Sequence, residues 1–294
     1  MNRQSFNLLF ATADPLRWHI EESFALSALG KFFSNTVLGD RSNVVELFER
    51  QKAAQAPALL DASGGVVQVG ATSVLRGYNI PQGSVMRLNL IGPMMANGDW
   101  CSWGMDDFEE AITLANQNPN ISGIFIRANT GGGESLAGQI LHNAVKSSKK
   151  PVVVYADFLG SAGVHGTLAA SEIIASGNAS RIGSIGTYVS IDKELANWYN
   201  ENVEDIYAEG SEEKNAEWRA YLKGDTGPLK TVVTKNAEMF RQEVKKYRPI
   251  KSEDVLKGGM YFGQEAKKNG LIDGIGTYEY AIQRMAANIK RANS

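Results

Sequence analysis

The chain has 294 residues, 43% hydrophobic and 21% charged, which are the proportions of an ordinary folded protein; a disordered tail or a membrane-embedded bundle is excluded. Lysine and arginine number 30 against 32 aspartates and glutamates, a net charge of −2, so bulk charge gives no support to nucleic-acid binding. One cysteine, Cys101, and three histidines leave no internal disulfide and too few ligands for the usual structural zinc site, while glycine, at 30 residues, exceeds its usual share of roughly 7%.

No apolar run reaches the roughly 18 residues of a membrane span, and the amino-terminal stretch lacks the layout of a secretory signal. The expectation is a protein with no transmembrane anchor, placed in a cytoplasm. Residues 1–80 read as a helical amino-terminal extension suited to an assembly arm, with helices over Leu16–Phe33 and Val44–Ala54 and a turn-rich passage around Asp61, Gly64, Gly65, Gly70 and Gly77. From residue 81 to 294 the pattern changes to short β-rich runs alternating with amphipathic helices, the signature of crossover units on a largely parallel sheet. Strands are expected at Val85–Ile91, Gly123–Ala128, Val152–Ala156 and Glu172–Ala175. Phe108, Ala111, Ile112 and Ala115 form one helical stripe after the acidic first turn of Asp106 and Asp107; Leu136, Ile140 and Ala144 mark a second helix, and a third starts near Ser161. Helices over Leu229–Tyr247, Gly263–Asn269 and Tyr278–Ile289 complete the chain.

Three clusters collect much of the glycine: Asn129 to Ser135, Leu159 to Gly163, and Arg181 to Gly186. Loops at the carboxyl ends of parallel strands are where ligands bind, so the first two point at one cleft. Consecutive glycines ahead of a helix expose N–H groups that can hold an anion or an oxyanion; they also make simple tight turns. A phosphate loop is disfavoured because no Gly-Lys-Ser/Thr follows. Ser161 reads either as a nucleophile projecting into the cleft or as a helix cap. His165, one helical turn on, is a conceivable base, although packing suits a histidine on a small-residue helix better.

In order, Arg127 to Gly133, Val152 to Gly163, Gly183-Ser184-Ile185-Gly186, Gly263 to Ala266 and Gly270 to Gly276 resemble the signal peptide peptidase A family of serine peptidases, family S49, from about Val85 to Ile282. The resemblance implies an α/β fold of the Clp-protease/crotonase type and a Ser-Lys dyad. Ser161 matches the family's serine, and Lys214, after Ala208 to Glu213, takes the place of its lysine, which follows a strand and a short Gly-containing stretch. Ser184 matches the residue that orients the lysine, and Gly132 and Gly133 match the oxyanion glycines. A solvated surface lysine is the competing reading of Lys214. Thr130-Gly131 replaces the family's Ser-Pro, Gly160 replaces an alanine, and Val164-His165 replaces an aromatic pair.

A lysine with a pKa of about 10.4 is neutral in roughly one molecule per thousand near pH 7, so a lysine base must be desolvated. Glu209, Glu212 and Glu213 would oppose that if they faced Lys214. The expected function is ATP-independent endopeptidase cleavage without a cofactor or metal, by a ring-shaped homo-oligomer. The resemblance extends to soluble head-maturation proteases of tailed phages, whose partners are scaffold and capsid proteins and whose place is the host cytoplasm or the prohead. Degradation of signal peptides or other hydrophobic peptides, a crotonase-like acyl-CoA enzyme and an inactive assembly component are the alternatives.

Overall fold

A computed structural model describes residues 18–20, 52–69, 80–98 and 102–294. Most of the two expected amino-terminal helices, with Gly70, Gly77 and Cys101, lies outside them. The strands are β1 (Trp18–Ile20), β2 (Ala58–Leu60), β3 (Val66–Val69), β4 (Ser84–Ile91), β5 (Ile121–Thr130), β6 (Gly132–Glu134), β7 (Val152–Gly160), β8 (Glu172–Ala175), β9 (Arg181–Gly183), β10 (Met260–Phe262) and β11 (Gly274–Ile275). The helices are α1 (Met105–Gln117), α2 (Ser135–Lys146), α3 (Ala162–Thr167), α4 (Lys193–Asn202), α5 (Ala216–Leu222), α6 (Gly227–Tyr247), α7 (Gly263–Lys268) and α8 (Tyr278–Ala292).

Nine strands make one mixed, mostly parallel sheet in the order β10-β9-β7-β5-β4-β2-β3, with β8 also on β7 and β11 on β8. The strand period of two assigns its faces. Met86, Leu88, Leu90, Ile124, Ile126, Val152 and Val154 face the larger core with α1, α2 and α3, while Val85, Phe125, Val153 and Tyr155 face Ala281, Ile282 and Met285 of α8. Both faces are therefore covered, which is why these strands read as near-continuous apolar runs. The α/β class expected from the sequence is the one observed.

β7 divides its pairing. Val153 to Ala156 pair with β8, and Phe158 to Gly160 pair with β9. This fork brings the end of β9 beside the end of β7. The closing Gly270 to Gly276 stretch ties the fork in place: the Asp273 carboxylate accepts from the Ile173 N–H at 2.7 Å and from the buried Arg248 guanidinium at 2.5 Å.

Two expectations change. Residues 18–20, inside the expected Leu16–Phe33 helix, are extended, because Trp18 to Ile20 find a strand edge on β6 and tertiary pairing overrides local propensity. Residues 58–69, placed by sequence in the extension, enter the main sheet through β2 against β4, with Leu59 and Leu60 fully buried. Their runs are only three and four residues long, too short for a periodic pattern to reveal.

Candidate active site

β5, β7 and β9 are neighbours in the sheet, and their carboxyl ends carry the three glycine clusters. β5 turns at Gly131 into β6; β7 ends at Gly160, ahead of Ser161; β9 ends at Gly183, ahead of Ser184. Gly160 lies opposite Gly183 in the parallel register, and the Ser161 N–H donates to the Gly183 carbonyl at 2.9 Å. Ser161 and Ser184 thus leave adjacent strands side by side. A Cβ at Gly183 would stand 2.3 Å from the Gly259 carbonyl oxygen, and its φ of +142° is one that side-chain-bearing residues rarely adopt. Glycine is required where β9 threads past residue 259, whose carbonyl also accepts from the Ser184 N–H at 2.8 Å.

Ser161 has φ 50° and ψ −115°, 2% of its surface exposed, and a side chain that makes no capping bond to α3. The cap reading of this serine is thereby excluded. A non-glycine residue in such backbone costs of order 1–3 kcal/mol and persists only where its surroundings impose it. The geometry is that of a strand-to-helix elbow, reached without a Gly-x-Ser-x-Gly sequence because Gly160, Ala162 and Gly163 supply the small flanks. Sequence reasoning passed over the Ala162 N–H. As the amide directly after the serine, it occupies the position that donates to an oxyanion in such elbows, and at the first residue of α3 it has no intrahelical acceptor.

The two glycines expected at the oxyanion site, Gly132 and Gly133, are held differently. The Gly132 N–H donates to the Thr130 hydroxyl at 3.1 Å, and that hydroxyl donates to the Gly92 carbonyl at 2.6 Å. Met94 takes one edge of β6, donating its N–H to Gly132 and accepting from Glu134, both at 2.9 Å. By strand alternation the N–H and C=O of Gly133 face the other edge. A Cβ on Gly133 would meet the Met94 carbonyl at 2.0 Å, so only glycine permits this approach.

Lys214 is exposed in a turn before α5, its N–H donating to the Ser211 carbonyl at 3.1 Å. No hydrogen bond joins it to Ser161 or Ser184 among the described residues. The strand expected ahead of it is absent: residues 203–208 form no helix or strand, and Ile206 among them is 91% exposed, with no neighbouring strand to pair with. His165 is buried, its ring stacked on His142 at 5.4 Å and tilted against Phe240 at 5.1 Å, which is a packing role between α2, α3 and α6. Burial holds His142 below the ordinary imidazole value, with Glu243 opposing. No group of three or more potential metal ligands occurs among the described residues, and no described helix is long and apolar enough to cross a membrane.

A strained, buried serine at the carboxyl edge of a mostly parallel sheet, flanked by glycine loops, places the molecule among α/β proteins whose candidate site lies at the strand exits. The sequence profile of Peptidase family S49 matches residues 144–291, half of the chain, and the chain belongs to that family. It is similar to a protein of Methanocaldococcus jannaschii named as a protease, 29% identical over 62% of this chain and 58% of that one. It is also 29% identical to the chloroplastic serine protease SPPA of Arabidopsis thaliana, over 70% of this chain and 32% of that one. The chain therefore spans between about a third and three-fifths of the length of these relatives. Among solved structures, ClpP1 from Listeria monocytogenes aligns over 67% of this chain and 94% of its own, at 17% identity and a TM-score of 0.38.

Proposed function

We propose that the protein is a serine endopeptidase in which Ser161 is the nucleophile and Lys214 its base. The observation that carries this reading is the elbow: Ser161 is held in costly backbone, free of any capping duty, beside Gly183-Ser184 and the glycines of β6. Neutral Lys214 takes the Ser161 proton, the alkoxide attacks the peptide carbonyl, and the N–H groups of Gly133 and Ala162 stabilise the oxyanion, with Gly132 joining once its bond to Thr130 opens. Ser184 accepts a hydrogen bond from the amine and orients it. The protonated Lys214 gives its proton to the departing amine as the C–N bond breaks. Lys214 then takes a proton from water, which attacks the acyl-enzyme and releases the acid and free Ser161, without ATP or a cofactor.

Lys214 is exposed and has no hydrogen bond to Ser161 or Ser184 among the described residues, so the dyad is completed when the 203–215 segment is covered and brought to the elbow. Val203 and Ile206 on this segment, and Trp198 on α4 just before it, are exposed apolar side chains, which supports closure against a second copy in a ring-shaped homo-oligomer. For the biological role we place the protein with phage head-maturation proteases, acting on scaffold or capsid precursors. This rests on the sequence resemblance. Co-expression with such a precursor is expected to give Ser161-dependent processing; cleavage of free hydrophobic peptides alone would favour signal-peptide degradation instead.

Casein and peptide cleavage by wild type, Ser161→Ala and Lys214→Ala tests the dyad. Each variant is expected to lose at least about 10³-fold in kcat while keeping its thermal transition. Undiminished activity in either variant removes that residue from the mechanism.

A further inference from the structure

β6 is a strand of three residues outside the main sheet, and its only strand partner among the described residues is β1. The pairing is antiparallel, with Trp18 opposite Glu134, His19 opposite Gly133 and Ile20 opposite Gly132. Since Met94 uses the Gly132 carbonyl and the Glu134 N–H, the edge left to β1 is the one that carries the N–H and C=O of Gly133. That edge runs beside the elbow. A Cβ at Gly160 would meet the Gly131 carbonyl oxygen at 3.0 Å, and one at Gly163 would meet Thr130 at 2.7 Å. Followed from Trp18 to Ile20, β1 runs toward Gly131 and thus toward Ser161.

Resting on the peptidase reading of Ser161, we propose that Trp18-His19-Ile20 is a pseudosubstrate held in cis. It occupies the Gly133 edge, including the N–H proposed to meet the oxyanion, and so competes with substrate. Strand addition to an open edge supplies affinity through main-chain hydrogen bonds and is tolerant of sequence, which suits an endopeptidase and equally suits a segment of the chain itself. A three-residue strand is a weak seal, and that is what displacement by substrate requires. The chain thereby carries an inhibitor whose strength falls when another partner takes up the amino-terminal segment.

The test uses the 294-residue chain with His19→Pro, which removes the N–H opposite Gly133 without touching the catalytic groups. If the edge is occupied nine-tenths of the time, the apparent KM for an extended peptide falls about tenfold in the variant while kcat is kept. A synthetic peptide spanning residues 14–24, added in trans, is expected to inhibit the variant competitively, and a scrambled peptide is not. Amide hydrogen exchange at residues 132–134 reads the pairing independently of activity: protected in wild type, faster in His19→Pro. Equal KM values in two active chains, or cleavage of the chain itself just after Ile20, would overturn the pseudosubstrate. No cleavage by either chain, with exchange still accelerated in the variant, would defeat the peptidase reading, and the pseudosubstrate role with it.

Discussion

The elbow around Ser161 and the stretch around Lys214 are built in opposite ways, although both belong to the proposed chemistry. Ser161 is 2% exposed, sits in strained backbone, and is fixed by the β7–β9 register and the Gly183 carbonyl. Lys214 is exposed in a turn between α4 and α5, among Glu212, Glu213 and an uncovered Ile206. A nucleophile needs position, which a packed sheet supplies from within one subunit. A lysine base needs desolvation, and the turn that carries it does not supply that alone. The difference teaches that the two halves of the site answer to different events: the serine is set by folding, the lysine by whatever covers it.

The sharpest way to break this contrast is Lys214→Arg. An arginine cannot release its proton, so cleavage is expected to fall by about 10²–10⁴-fold even though the charge and length are kept; retained activity in a peptide assay would mean that position 214 acts only as a cation. Next in size is Gly183→Ala, which drives a Cβ into the Gly259 carbonyl and is expected to cost about 3 kcal/mol in a denaturant melt. The same substitution at Gly210 has φ +78° but nothing within 4 Å, and is expected to cost clearly less. Ser161→Gly should abolish cleavage yet raise stability by about 1 kcal/mol, because glycine relieves the elbow's backbone strain. A stability loss there would show that the elbow is unstrained.

The smallest effect concerns pH. Burial favours the neutral form of His142, so its folded pKa lies below the unfolded value of about 6.5. Below that pH the unfolded chain binds the proton more readily, and the contribution present above it is lost as pH falls. Glu243 from α6 opposes the shift, while Lys146 and Lys246 reinforce it. The thermal midpoint is expected to drop between pH 7 and 5.5 in wild type and to drop less in His142→Phe.

Much of the fold was legible in the sequence. The four expected inner strands read as apolar runs and the helices at 105–117, 135–146, 227–247 and 278–292 as apolar stripes; β8 keeps its expected bounds and β4, β5 and β7 run a few residues longer. α4 and α5 are only ten and seven residues long, and their apolar stripes stop at one turn each (Leu195, Trp198 and Tyr199; Trp218, Tyr221 and Leu222). α4 buries only Ala196 and α5 buries nothing, so little marks them as helices of the folded body. β6, β9, β10 and β11 run two or three residues and exist only through their partners.

Within the site, sequence alone determined which residue types gather at three strand exits: glycines, Ser161 and Ser184. Neighbouring residues in a strand or loop are fixed by local covalent spacing, so their order along the chain already places them together. Only the tertiary structure decided that Ser161 is an elbow and not a cap, that the Gly132 amide is taken by Thr130 while that of Gly133 faces β1, and that Lys214 lies in solvent. Those outcomes depend on which backbone groups meet across dozens of residues, and hydrogen-bond partnership and burial at that range leave no periodic trace in the chain.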